Sequence, residues 1–241
     1  MCIRDRLWEI QVGRTRLILL DTDIEDNPPD FRDITRELYV ADREKRLQQE
    51  VVLGIGGVIA LERLDIHPTI YHINEGHSAL LAIARLKQLT RDRKLSLPEA
   101  KALIRASTVF TTHTPVTAGN ESFKMPMVKE YLEAEAAALG LSFKELASYG
   151  LFGENEEVFW MPAVAIRFAS HVNGVSKLHG EVSRHMWADL FPGLQIREIP
   201  IGHVTNGCLL YTSDAADALL CVALGARRIT KKTTTQSLTI T

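Results

Sequence analysis

Apolar and polar positions along the chain change period repeatedly, and each change marks a predicted element. TRLILLDT (15–22) is an apolar run of strand length. DREKRLQQEVVLGIGGVIALERL (42–64) has a helical period, with Asp42 as its expected N-cap and charges in its first turns. TIYHIN (69–74) predicts the next strand, and EGHSALLAIARLKQLT (75–90) the helix that follows it. SLPEAKALIRAS (96–107) opens on Ser96, Pro98 and Glu99, a helix-start signature, and runs into the β-branched strand TVFTTHT (108–114). Helices are expected over 127–139, 142–150 (capped by Ser142), 162–170 and 177–191. A short extended piece is expected at 171–176 and a last strand at 195–202. Strands separated by helices predict an α/β fold, a Rossmann-like parallel sheet with helices on both faces.

The polar residues are not scattered evenly over this pattern. Asn74, Glu75 and His77 follow the strand 69–73, and His113 and Thr114 follow 108–112. Asn173, Gly174 and Val175 lie in 171–176, and His-Val-Thr-Asn-Gly, with Asn206, follows 195–202. In an open parallel sheet, ligands bind beyond the carboxyl ends of the strands, where helix N-termini also offer unpaired N–H groups. Each motif also has a structural reading. Asn74 and Glu75 suit a helix N-terminus, His113 suits a turn before Pro115, and 19–31 suits a solvated acidic loop. KLHGEVSRHMW suits an amphipathic helix, although that leaves His179 and Glu181 unexplained. GIGG (54–57) lacks the last glycine of a phosphate loop, where Ile59 stands, so close packing or a kink is expected there. The eight histidines show no metal-binding spacing, and no metal site is expected.

Composition alters this picture at the ends. The 241 residues carry 28 Lys+Arg against 30 Asp+Glu, and all three cysteines, Cys2, Cys208 and Cys221, fall in or beside two flanks without clear pattern. Residues 1–6 and 208–241 resemble translated sequencing-adapter read-through, so they are expected to be foreign to the domain and not to pack on it. The segment 7–207 then holds 22 basic and 27 acidic residues, which removes the basic footprint of a nucleic-acid partner, and it has no cysteine for disulfide or thiolate chemistry. No apolar run reaches the length of a membrane span and no signal peptide is visible. The expectation is a cytoplasmic protein without a membrane partner.

Five collinear stretches, RLQQEVVLGIGG, YHINEGHSALL, FTTHTPVTAG, NGVSKLHGEVSRHMW and IPIGHVTNG, resemble the glycogen, starch and maltodextrin phosphorylase family, in its bacterial α-glucan phosphorylase branch. The resemblance covers nearly all of 7–207 and implies part of the N-terminal domain of a longer, two-domain protein of glycosyltransferase-B type. That family releases glucose 1-phosphate from an α-1,4-glucan with inorganic phosphate. It uses pyridoxal 5'-phosphate on a lysine of the C-terminal domain, so the attachment lysine is absent here and the chain alone is expected to be inactive. By the same resemblance His113 and Asn206 would share the sugar's 6-hydroxyl. Asn74, Glu75, His77 and Thr114 would line the pocket, the backbone of Asn173, Gly174 and Val175 would form the wall under the ring, and loop 21–30 would gate the cleft. Homo-oligomerisation of the parent stays open. Two other readings compete: a nucleotide-sugar glycosyltransferase of starch-synthase type, whose Lys-Gly-Gly signature is not seen, and a non-catalytic glucan-binding domain.

Overall fold

The computed structural model describes residues 3–38 and 40–206, together with the backbone of 230–232 and 237–240. A hairpin of β1 (Ile3–Val12) and β2 (Thr15–Asp21) comes first, followed by the short helix α1 (Pro29–Arg32). Next come α2 (Arg43–Val51), a π-helical turn (Val52–Gly56) and α3 (Gly57–Arg63). Strand β3 (Tyr71–Asn74) leads to α4 (Leu81–Asp92) and α5 (Leu97–Ala106), and then to β4 (Thr108–Thr112). The excursion after β4 holds β5 (Ser122–Lys124), α6 (Met125–Ala138), α7 (Phe143–Ala147), β6 (Val158–Trp160) and α8 (Met161–Arg167). The chain returns through β7 (His171–Gly174), α9 (Lys177–Met186) and β8 (Ile201–His203). Strands β9 (Thr230–Lys232) and β10 (Ser237–Ile240) pair antiparallel with β1.

The centre is a four-stranded parallel sheet in the order β3-β4-β7-β8, so the α/β expectation holds. Side chains alternate along each strand, and in this register Ile73, Phe110, Val172 and Ile201 share one face. All four are buried in the core with Leu80, Ile83 and Leu86 of the α4 segment, Ile104 of α5 and Trp187 after α9. The opposite face carries His72, Asn74, Thr111, His171, Asn173 and Gly202, most of them exposed or half-buried. The expected helical cover is therefore found on one face among the described residues.

Local signals account for most helix starts. Asp42 accepts a hydrogen bond from the Lys45 amide at 2.8 Å, and Ser142 accepts one from the Glu145 amide at 3.3 Å while Glu145 reaches back to the Ser142 amide at 2.7 Å. Ser142→Ala should lower the unfolding free energy by about 1 kcal/mol, read as a shifted urea midpoint at unchanged slope; no shift would mean that the cap contributes nothing here. Gly54, Ile55 and Gly56 of GIGG lie in the π-helical turn and Gly57 opens α3, and a Cβ on Gly54 would lie 2.8 Å from Leu80 Cβ. The close packing expected there is found: the π-helical turn brings the Gly54 backbone against the start of α4.

Three expectations change. Residues 3–6 continue β1, and Ile3, Asp5 and Leu7 alternate inward and are buried, so the expected boundary at Leu7 is not a boundary of the fold. Of the flank 208–241, residues 230–232 and 237–240 pair along β1, and the rest lies outside the described residues. The last strand is shorter than 195–202, because Gln195 and Glu198 form a capping box around the 3-10 turn Ile196–Glu198 and the strand begins at Ile201. Strand β2 matches the run expected at 15–22, whereas its hairpin partner β1 and the pair β5–β6 are elements that the periodicity did not predict.

Candidate functional site

The carboxyl ends of β3, β4 and β7 bring together most of the residues singled out in the sequence. Asn74 is not a helix cap. It ends β3 opposite Thr111, and its Oδ1 accepts from His113 Nε2 at 2.9 Å. With the proton on Nε2, His113 keeps Nδ1 as an acceptor, and the residue is exposed. Glu75 departs further from a capping role. Its backbone stands at φ 62°, the left-handed side that a non-glycine residue seldom occupies. That turn swings its carboxylate across to β4, where it accepts from the His113 amide and, at 3.1 Å, from Thr114 Oγ1. Asn74 and Glu75 therefore fix His113 by ring and by backbone, and the strain at Glu75 belongs to that clamp.

Below this layer runs a polar ladder. Thr111 Oγ1 donates to Asn173 Oδ1 at 3.1 Å and accepts from His72 Nε2 at 2.8 Å. His72 and Thr111 were not singled out in the sequence, although their placement two residues before Asn74 and His113 is the strand period that puts them on the same face. Beyond β7, the Val175 amide donates to His179 Nδ1 at 3.2 Å, and the Val175 carbonyl accepts from the Asn206 amide at 3.1 Å. A Cβ on Gly174 would meet His179 Nδ1 at 2.8 Å and the Gly180 amide at 2.9 Å, so the absence of a side chain there lets α9 approach the strand end. His179 is thus explained as a support of the 174–175 turn. Its Nε2, buried and without a hydrogen-bond partner, is left as the protonated nitrogen.

His77 lies elsewhere. Its Nδ1 is 2.7 Å from Arg46 and 3.7 Å from Glu50. Arg46 also donates to Glu121 Oε1 at 3.0 Å and lies 3.4 Å from Glu50. Glu50, His77 and Glu121 are the described residues whose ligand atoms, all within 4.8 Å of one another, could hold a metal ion, but the Arg46 guanidinium already supplies the positive charge among them. Burial pushes the Glu50 carboxyl up to about 7, outweighing His77 and Arg46, which favour its charged form; Glu121 adds to the rise. The native state therefore holds this proton above the ordinary value of 4.5, and the associated stability is present below 4.5 and lost as pH rises through about 7. Asp5, raised to about 7 by burial and Asp21, adds a loss of the same sign. Glu50→Gln should flatten the fall in Tm between pH 5 and pH 8 and raise Tm at the upper end. A slope equal to that of the unsubstituted chain would remove Glu50 from this role.

The acidic loop 21–30 does not join the edge cluster. Asn27 is 3% exposed, its side chain donates to the carbonyls of Arg4 and Thr22 at 2.7 and 2.8 Å, and its Oδ1 accepts from the Arg4 amide at 2.9 Å. These bonds tie Asn27 of the loop to Arg4 of β1 and to Thr22. The edge residues Asn74, Glu75, His113, Thr114, Asn173, Gly174, Val175 and Asn206 include no lysine, and they do not fit the aldehyde of a pyridoxal cofactor. They do offer neutral acceptors and amides at hydrogen-bond spacing, the chemistry that holds a polyhydroxylated ligand. No helix among the described residues is long and apolar enough to cross a membrane.

Similarity to known proteins agrees with this chemistry. No family model matches the chain. It is 42% identical over 217 residues to a glycogen phosphorylase of Mycobacterium tuberculosis, covering 85% of this chain and 25% of that protein. A maltodextrin phosphorylase of Thermococcus litoralis is 42% identical over 202 residues, covering 84% of this chain and 24% of the relative. A glycogen phosphorylase of Aquifex aeolicus is 38% identical, over 83% of this chain and 29% of the relative. The chain thus spans about a quarter of the length of these relatives. Over most of its own length the chain is thus similar to glycogen and maltodextrin phosphorylases.

Proposed function

We propose that the chain is the part of an α-1,4-glucan phosphorylase that holds the terminal glucose, and that the parent protein releases glucose 1-phosphate from glycogen, starch or maltodextrin with inorganic phosphate. The observation that carries this reading is the clamp on His113. Asn74 and Glu75 spend two side chains and a left-handed backbone to hold one exposed imidazole with Nδ1 free to accept. In this proposal Nδ1 accepts from the sugar's 6-hydroxyl, Asn206 shares that hydroxyl, Thr114 lines the pocket, and the Asn173–Val175 backbone forms the wall. His77 acts at a remove, through the Arg46 network. Pyridoxal 5'-phosphate, on a lysine outside this chain, would supply the phosphate group that exchanges a proton with the substrate phosphate. A cytoplasmic setting and a parent assembled from like subunits belong to the same proposal.

The test is a paired assay. The chain alone, given maltodextrin and phosphate, should form no glucose 1-phosphate. A full-length protein, made by replacing the matched segment of the Mycobacterium tuberculosis relative with residues 3–206, should form it. Turnover by the chain alone would mean that the chemistry has been misplaced. A folded, cofactor-loaded chimera that binds maltodextrin without turnover would favour a glucan-binding domain.

A further inference from the structure

We propose that the cavity between the ends of α5 and α8 is a second binding site, for an organic phosphate monoester with a flat apolar body. It lies at the pole of the sheet opposite the His113 cluster, where α5 runs into the amino end of β4 and α8 into the amino end of the parallel strand β7. Lys101, Ala102 and Arg105 of α5, Arg167 and Phe168 at the end of α8, and Tyr149 of the 3-10 turn Ser148–Gly150 line a space of about 390 Å³. That is the size of a small-molecule site. Its floor is aromatic. Phe168 is 2% exposed, and its ring meets that of Tyr149 edge to face at 5.1 Å.

Its other lining residues are mainly cationic. Arg167 Nη1 donates to the carbonyls of Tyr149 and Leu151, each at 2.7 Å, which anchors the guanidinium on that turn. Lys101 Nζ sits 4.3 Å from the centre of the Tyr149 ring, and Arg105 is exposed one helical turn further on. Among the described residues no carboxylate stands within ion-pair distance of any of the three. Elsewhere the chain does pair such groups: Arg16 with Glu9, Lys87 with Glu135 and Arg91 with Glu62. Lys101 and Arg105 are four positions apart on one helix, a like-charge spacing that weakens it. A helix dipole favours cations in the last turn, which accounts for Arg105 and Arg167. It leaves Lys101 unexplained, and with it the convergence of three cations on one aromatic floor. Burial lowers the pKa of Arg167, with no carboxylate to offset it. An anion in the cavity supplies the missing partner. Lysine and arginine only donate, and the Tyr149 and Leu151 carbonyls already accept from Arg167. A sugar needs acceptors as well as donors, so these cations select oxygens that only accept. Three cations suit a phosphate monoester, with about 1.5 to 2 negative charges at pH 7, better than a carboxylate with one. The aromatic floor suits a flat apolar group attached to it.

The test is calorimetric titration of the full 241-residue chain with 1-naphthyl phosphate at low salt. Binding should saturate at one site and weaken as salt is added. 1-Naphthol, the ring without the charge, and inorganic phosphate, the charge without the ring, should each bind about tenfold more weakly or worse. Arg105→Glu should weaken the ester by about tenfold or more, the worth of one hydrogen bond to a charged group. Arg93→Ala, at an exposed cation at the end of α4, should leave it unchanged. Ala102→Trp is an independent check, since it fills the cavity from an exposed helix position without altering charge, and it should abolish binding. Naphthol binding as tightly as the ester would make the cavity an apolar hole with no anion role and overturn the proposal. So would the absence of saturation by about a millimolar ester, or unchanged affinity in a folded Arg105→Glu variant. Should that variant not fold, retained binding in Ala102→Trp overturns it equally.

Discussion

Phe110→Ala should lower the unfolding free energy of the chain by about 3–5 kcal/mol, the usual cost of deleting a fully buried ring. Phe110 is 0% exposed at the middle of the central strand β4, between Ile73 of β3 and Val172 of β7 and under the helices α4 and α5. Little can collapse into the space, since both neighbours are held by the ladder. For a chain of this size the loss corresponds to a Tm lower by roughly 6–20 °C. Its neighbour on the strand is the internal control. Val109 points to the polar face and is half-buried, so Val109→Ala should cost under about 1.5 kcal/mol, the low end of such truncations. Equal losses at the two positions would show that the covered face has been misassigned.

His113→Ala, made in the full-length chimera, should reduce kcat/KM for maltodextrin by about tenfold to a few hundredfold. Under the proposed function, His113 makes one hydrogen bond to the sugar's 6-hydroxyl, whose loss is worth about 1–3 kcal/mol. The ring is already oriented before substrate arrives, because its Nε2 donates to Asn74 Oδ1 and its amide donates to Glu75. An interaction that tightens as positive charge develops on the sugar lowers kcat more than it raises KM. A xylose-terminated glucan, which lacks the 6-hydroxymethyl group, should react poorly with the unsubstituted protein and lose little more in the variant. Asn74→Ala should produce a smaller loss on glucose-terminated substrate by releasing the ring. Proportional losses on both substrates, accompanied by a lowered Tm, would instead assign His113 to the turn before Pro115.

Much of this architecture was legible in the order of residues. Helix starts at Asp42, Ser96 and Ser142 follow from side chains that cap their own backbone within three residues, which is local chemistry. Strands β3, β4 and β7 follow from short β-branched or apolar runs, and their polar carboxyl ends pointed to an edge site. What escaped was decided at a distance. Strand β1 mixes Ile3 and Leu7 with Arg4, Asp5 and Arg6, and only pairing with β2 makes that pattern a strand. Asn74 and Glu75 read locally as caps, and it took the register of β3 on β4 to turn them into a clamp on His113, 39 and 38 positions away. His77 reads locally as part of the same site, yet packing of α2 beside its turn gives it to Arg46 and Glu50 instead. The sequence by itself determined that Asn74, Glu75, His113, Thr114 and Asn173 gather at or just beyond strand ends. The tertiary structure decided which of them meet and which face stays open, because strand order and crossover hand are properties of the assembled sheet and of no single segment.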